Sequence, residues 1–428
     1  MEGKTGRIVG VLGVVLLTAC GDPTGPGDSI APIDDLPRPL TDTETLVVER
    51  SNAFGIELIR EVAERDEQPN IVLSPLSASM ALGMTLNGAA GETFDEIRTA
   101  LSFGDLERSE INASYAGLLD LLVDLDPAVE VAIANSAWAN EAYPFHAAFF
   151  DAIGQHFQAT AETRDFGDPA TLAAINGWVE EKTAGHIERI LEEGQLDPQL
   201  ALLLLNAVYF DAPWRTAFDP DETEPATFTR VDGQEVPVQM MRLRGEELPF
   251  AGTETVTAVE LPYGGGAYSM IVAVPHRNRT VREVLSGADG AWWDALVDGL
   301  VKQEVDLVGL PRFELSYDVI LNDPLSAMGM PGAFRSAADF SDLSPEHLCI
   351  DFVRQKTFVE VDEAGTTAAA VTGVGIGPTS FTGITADRPF LFAIRERLSS
   401  TILFIGVVGD PTEEEAGEVQ MPGPCRFR

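Results

Sequence analysis

The sequence predicts an α+β fold. Helix-period patterns crowd its first half, strand-length apolar runs crowd its second, and the two never settle into the regular alternation that a doubly wound parallel sheet requires. With 45% hydrophobic and 22% charged side chains among 428 residues, a sizeable core is within reach. Length alone would allow two or three domains, and no internal repeat divides the chain.

Taken in order, the elements begin with an export signal. Lys4 and Arg7 precede the apolar run 8–17 and the tetrapeptide Leu17-Thr18-Ala19-Cys20. The run is about half as long as a membrane-spanning helix needs, and its ending resembles the lipobox of bacterial lipoproteins. That resemblance implies a signal peptide at 1–19, a lipid on Cys20, and an exported protein anchored at a periplasmic face or cell surface. An ordinary cleaved signal, giving a free extracellular protein, is the alternative. Residues 20–42 are dense in Pro, Gly and Asp without an apolar period, and read as a disordered tether. A flexible chain of that length would hold the domain about 25 Å from a bilayer.

The domain is expected over 43–411. Phe54, Leu58 and Val62 recur every four residues, as on one face of a helix. After Pro69-Asn70 a short strand is expected at 71–73. Ser74-Pro75 then reads as an N-cap with proline at the first helical position, opening a helix that stops at Asn87-Gly88. A second amphipathic helix is expected at 171–184, with Leu172, Ile175 and Val179 on its apolar side. The nearly unbroken apolar run 201–210 reads as a strand covered on both faces, and the buried amide of Asn206 within it demands a polar partner. Further strands are expected at 256–261, 268–274, 305–310, 357–361, 389–394 and 402–408.

Charge narrows the partners. A formal net charge of -40 argues against nucleic acid, heparin-like polyanions and anionic lipid surfaces, since each needs clustered Lys and Arg. Besides Cys20 there are two cysteines, Cys349 and Cys425. They could pair in an oxidising compartment or stay apart, Cys425 lying in the acidic tail 412–428, which reads as disordered.

No G-x-S-x-G, H-E-x-x-H, Walker loop or paired C-x-x-C is present, and the five histidines lack ligand spacing. The run Thr372-Gly373-Val374-Gly375-Ile376-Gly377 imitates a nucleotide loop, but no helix pattern follows to present an N-terminus to phosphate. The chain is therefore expected to be no enzyme and to need no metal or cofactor.

Function is carried by Val361-Asp362-Glu363-Ala364-Gly365-Thr366-Thr367-Ala368-Ala369-Ala370-Val371-Thr372, followed after a gap by Ala386-Asp387-Arg388-Pro389-Phe390-Leu391-Phe392. These resemble the hinge with proximal reactive loop, and the C-terminal signature, of the serpin family. Other matches fall in order: Asn70-Ile71-Val72-Leu73-Ser74-Pro75-Leu76-Ser77, then Leu205-Asn206-Ala207-Val208-Tyr209-Phe210 with Trp214, and Met240-Met241. The resemblance implies a single large domain of three β-sheets and eight or nine helices, with an exposed reactive-centre loop at about 363–386. It implies a monomeric inhibitor of serine proteases, with cysteine proteases as a further target class, that works as a suicide substrate. The alternative is a non-inhibitory binding or chaperone-like lipoprotein of the same fold.

The loop's own chemistry favours inhibition. Alternate residues of a strand face opposite sides. Thr366, Ala368, Ala370, Thr372, Val374 and Ile376 form a small-then-apolar face, the intervening positions are small, and 366–377 holds no charge and no proline. Such a segment can be exposed first and become a central strand later. Family spacing from the hinge residues Glu363, Gly365, Thr366, Ala368 and Ala370 puts the reactive bond at Thr379-Ser380, with Pro378 and Phe381 as alternative specificity residues. No Lys or Arg lies between Glu363 and Arg388, so the expected target has a small or apolar specificity pocket. The resemblance also assigns Ser74, Ser77, Asn206 and Gln355 to the shutter that governs sheet opening, and Trp214 to the breach where the loop first enters. Gln355 stands where histidine is common in the family, which removes a titratable group from the shutter.

Overall fold

The computed structural model describes residues 31–365, 381–412, 421–422 and 425, and packing against the domain begins at residue 33. The Ile33 N–H donates to Gly265 O at 2.9 Å, Ile33 and Leu40 lie against the core, and Arg38 forks onto the Glu44 carboxylate at 2.7 and 2.8 Å. The tether expected at 20–42 is thus shorter at its domain end. Composition hid this because two apolar side chains and one ion pair to a buried carboxylate suffice to hold ten residues.

Helix α1 (Asp42–Arg65) opens on a Thr41/Glu44 capping box and buries Phe54, Leu58 and Val62, as their spacing requires. Strand β1 (Ile71–Leu73) and helix α2 (Pro75–Leu86) follow, with the Ser74 side chain accepting from the Ser77 N–H. Then come α3 (Gly91–Ala100), α4 (Arg108–Leu122), β2 (Glu130–Asn140), α5 (Ala147–Phe157) and β3 (Thr160–Arg164). Helix α6 (Pro169–Lys182) starts two residues before the expected 171, because Asp168 caps it and Pro169 takes its first turn. Strand β4 (Leu202–Asp211) precedes a run of five: β5 (Glu224–Thr229), β6 (Glu235–Leu243), β7 (Glu246–Gly252), β8 (Val256–Pro262) and β9 (Tyr268–Pro275). Helices α7 (Val281–Leu285) and α8 (Gly290–Asp298) lead to β10 (Val301–Val305), β11 (Leu307–Pro311), β12 (Phe313–Ile320) and α9 (Asn322–Ala327). The chain closes with β13 (Arg354–Val361), β14 (Gly383–Thr385), β15 (Phe390–Glu396) and β16 (Ile402–Val408).

One core joins the seven-stranded sheet β1-β16-β15-β9-β8-β7-β10 to the helices packed on it, and a four-stranded sheet β14-β11-β6-β5 adjoins it. The remaining strands make up the expected third sheet, which is parted down its middle. They form two pieces, β3-β2-β4 and β12-β13, and among the described residues no ladder joins β4 to β13.

The split leaves β4 covered on both faces, by α6 on one and by the main core on the other, but among the described residues without a partner at one edge. Leu203 and Leu205 pack under α6 with Ile175 and Val179, whereas Leu202 and Leu204 are half-buried beside the opening. An unbroken apolar run cannot reveal that one edge of its strand has no partner.

Candidate functional site

The opening between β4 and β13 is a cleft. At one end both strands run to a junction where Gly365 bridges Pro213. The Trp214 N–H donates to Ala364 O at 2.9 Å, and Trp214 Nε1–H donates to Asp362 O at 2.9 Å. The indole is buried and stacks on Tyr263 with ring centroids 4.3 Å apart. Gly365 has φ of +119°, and a Cβ there would overlap Ala212 O, Trp214 N and Pro213 Cα, so only glycine fits.

Glu363 clamps the same junction. Its buried carboxylate accepts from Arg312 Nε at 2.7 Å and from the Thr223 hydroxyl, while its carbonyl accepts from the Phe218 N–H at 2.9 Å. Burial works to raise this carboxyl, but the hydrogen bonds from Arg312 and Thr223 outweigh burial and hold it below its ordinary value. A lowered folded-state value means the clamp contributes fully above the ordinary 4.5 and is lost as pH falls through the lowered value. Glu363→Gln is therefore expected to cost about 1–3 kcal/mol at neutral pH. Thermal unfolding from neutral to about pH 3 should show the parent's advantage shrinking on acidification; an advantage constant with pH would refute the clamp.

Midway along the cleft the His186 ring lies between Tyr209 of β4 and Phe358 of β13, at 5.6 and 4.7 Å. Below it the four expected shutter residues gather. Gln355 Oε1 accepts from the Ser74 N–H and Gln355 Nε2 donates to Ser74 O, both at 2.9 Å. Ser74 Oγ donates to Leu403 O at 2.7 Å, and Ser77 Oγ donates to Asn206 O at 3.5 Å. Asn206, which is half-buried, donates from Nδ2 to Asn135 Oδ1 at 2.7 Å, the polar partner its place in the strand demanded, while its own Oδ1 has none among the described residues. Gln355 spends both ends of its amide on Ser74, and Ser77 links that pair to Asn206, its N–H donating to Ser74 Oγ and its Oγ to Asn206 O.

Farther down, a cavity of about 230 Å³ separates Leu200–Asn206 from Leu348–Gln355. The segment 183–201 after α6 is tied to β13 here. Lys356 Nζ donates to Arg189 O at 3.0 Å and Arg354 Nη1 to Gln195 Oε1 at 2.8 Å. Cys349 and Cys425 are disulfide-bonded, and buried Cys425 lines the same cavity. The tail read as disordered is thus anchored at this point, at a bond neither composition nor spacing could choose.

On the far side of the loop, Asp306 holds Thr382 at both ends: the Thr382 N–H donates to Asp306 Oδ2 at 2.6 Å, and the Asp306 N–H donates to Thr382 O at 2.7 Å. Phe381, one residue earlier, is 73% exposed. Strand β14 then pairs in parallel with β11. Cys20, Thr366, Ala368, Ala370, Pro378, Thr379 and Ser380 lie outside the described residues.

Sequence reasoning missed Arg312, Thr223, Asp306, His186 and Asn135. Only Asn135 left a signal: it interrupts the largely apolar run 131–139 much as Asn206 interrupts 201–210. Among the described residues no group of His, Cys, Asp or Glu is placed to hold a metal ion, and no helix is long and apolar enough to cross a membrane.

Comparison with known proteins agrees with this architecture. Residues 49–411 match the family model described as serpin (serine protease inhibitor). Iripin-2 of Ixodes ricinus is 34% identical over 380 residues, covering 85% of this chain and 94% of that protein. The crystal structure of the thermophilic serpin tengpin in its native state superposes with a TM-score of 0.78 at 31% identity, covering 89% of this chain and 97% of that one. Human thyroxine-binding globulin in complex with its hormone superposes equally well, at 0.78 and 27% identity, covering 87% and 100%. The chain belongs to the serpin family, whose members are in general protease inhibitors rather than enzymes.

Proposed function

We propose that this serpin inhibits serine proteases by the family's suicide route. The protease attacks the loop, and the cut loop enters the cleft between β4 and β13 as a new strand while the protease is still attached as an acyl-enzyme. The observation that carries this reading is the parting of β4 from β13, in a chain whose segment 366–377 is small, uncharged and proline-free. The unpaired Asn206 Oδ1 beside the cleft would gain a donor from such a strand.

The anchoring of Thr382 favours Thr379-Ser380 over Phe381 as the reactive position. A protease engages several extended residues on each side of the bond it cuts. Cleavage after Phe381 would require stripping Thr382 from Asp306 and Gly383 from Leu307. Cleavage after Thr379 puts Ser380 and Phe381 between the bond and those contacts, and selects elastase-like or subtilisin-like enzymes with small apolar pockets. Incubation with a panel of serine proteases, read on denaturing gels, tests this: a covalent complex with elastase-like members is expected. Clean loop cleavage with every protease left active would favour a binding role instead, a reading to which the likeness to thyroxine-binding globulin lends some support.

The export signal and Cys20 place the inhibitor, in this reading, on a membrane as a lipoprotein. Cys20→Ala should release it from the membrane fraction with inhibition unchanged. Retention of the variant with membranes would rule the lipid anchor out.

A further inference from the structure

The loop's path down the cleft can be laid out from two bridges. Gly365 pairs antiparallel with Pro213 on one side and with Asp362 on the other. Continuing both registers, position 373 would come to lie beside Arg354, and position 378 between Leu200 and Cys349. The upper half of an inserted strand, 366–372, thus has β4 and β13 as its neighbours. The lower half, 373–379, starts beside Arg354 and must run beyond the start of β13 along residues 348–353.

That lower stretch carries an occupant. Cys425 is bonded to Cys349 and lines the cavity with Leu200–Asn206 and Leu348–Gln355. Its N–H donates to Asp351 Oδ1 at 2.6 Å. Four residues earlier, Met421 Sδ lies 3.9 Å from Arg354 Nη1, the same nitrogen that reaches Gln195 at 2.8 Å on the segment after α6. Arg354 is itself fixed by two hydrogen bonds to Asp318, at 2.6 and 2.9 Å. The end of the chain, the start of β13 and the segment 183–201 therefore meet where the loop would finish its travel.

We propose that the Cys349–Cys425 disulfide is a redox-sensitive lock on the far end of the insertion cleft. While the bond is intact, it holds Cys425 in the cavity beside residues 349–354, with Met421 against Arg354, and so resists entry of the lower half of the loop strand, guarding the uncut inhibitor against premature insertion. A dithiol reductant opens the lock: two electrons and two protons pass to the sulfurs, giving thiols at Cys349 and Cys425 and leaving the reductant as its own disulfide. Among the described residues, the contacts at Asp351 and Arg354 then remain to hold the tail. The upper half of the cleft, closed by Trp214 and Glu363, is untouched. The lock rests on the proposed insertion mechanism, so its test must be able to fail separately.

Two labelled synthetic peptides provide such a test, one copying 366–372 and one copying 366–379, each followed for its rate of annealing to the full-length protein. The protein is used oxidised, reduced with dithiothreitol, and as Cys425→Ser; the reduced wild type covers the case of a variant that folds poorly. Reduction or substitution should speed annealing of the long peptide by about tenfold, a barrier change of about 1.4 kcal/mol, and leave the short peptide's rate unchanged. Equal rates for the long peptide in all three forms would overturn the lock. Equal acceleration of both peptides would also overturn it, since that is general loosening rather than a block at the far end. Failure of both peptides to anneal in any form would sink the insertion mechanism and the lock together.

Discussion

Replacing Thr366 with Arg should convert the inhibitor into a substrate while leaving the uncut protein as stable as its parent. Gly365 is fixed against Pro213, and the next position is the first to pass between the half-sheets. Its neighbours there would be Ala212 and Val361, both buried and apolar, so a guanidinium would lose its water without a partner, at a cost of several kcal/mol. Insertion races deacylation, and each 1.4 kcal/mol added to its barrier slows it about tenfold. The protease would hydrolyse the acyl bond and leave. Stoichiometry of inhibition, with thermal unfolding of the uncut variant as control, reads the effect. Covalent complex formed as efficiently as by the parent would mean that insertion does not begin at Thr366.

Trp214→Ala should act in the opposite sense, releasing the hinge too early. The indole is buried, stacked on Tyr263 and edge-on to Phe218 at 5.9 Å, and its Nε1–H holds Asp362 O. Truncating a buried Trp costs about 3–5 kcal/mol in cavity and lost contacts. Here the cavity opens directly under Gly365. The expected result is a lower unfolding temperature together with faster spontaneous loss of inhibitory capacity on warming. Trp214→Phe keeps much of the packing but drops the bond to Asp362, and should fall between the two. A Trp214→Ala protein that loses stability yet keeps its capacity as long as the parent would separate core packing from hinge retention and refute the role given to the indole.

Local rules made much of this fold legible. Ser74-Pro75 marked the start of α2 because a hydroxyl cap and a proline at the first turn satisfy backbone demands within a few residues, and Phe54, Leu58 and Val62 marked a face of α1 for the same local reason. The loop's charge-free alternation could be read because desolvation acts residue by residue. What stayed hidden depends on residues far apart in the chain. The break between β4 and β13 is a missing pairing across more than a hundred residues, and the clamp on Glu363 draws on Arg312 and Thr223. Segment 31–41 and Cys425 were hidden differently, since a few anchors overrode a composition that signals disorder.

The most direct test of strand insertion is the unfolding temperature of the protein before and after a single cut within 366–380 by a protease that it does not trap. A twelve-residue strand, 366–377, can make up to two backbone hydrogen bonds per residue. At about 0.5–1 kcal/mol each, the gain is on the order of 10–20 kcal/mol, or roughly 15–25 °C for a domain of this size. A rise of that order upon cleavage is the predicted result. An unfolding temperature unchanged or lowered by the cut would mean that the cleft between β4 and β13 does not receive the loop, and would contradict the proposed mechanism.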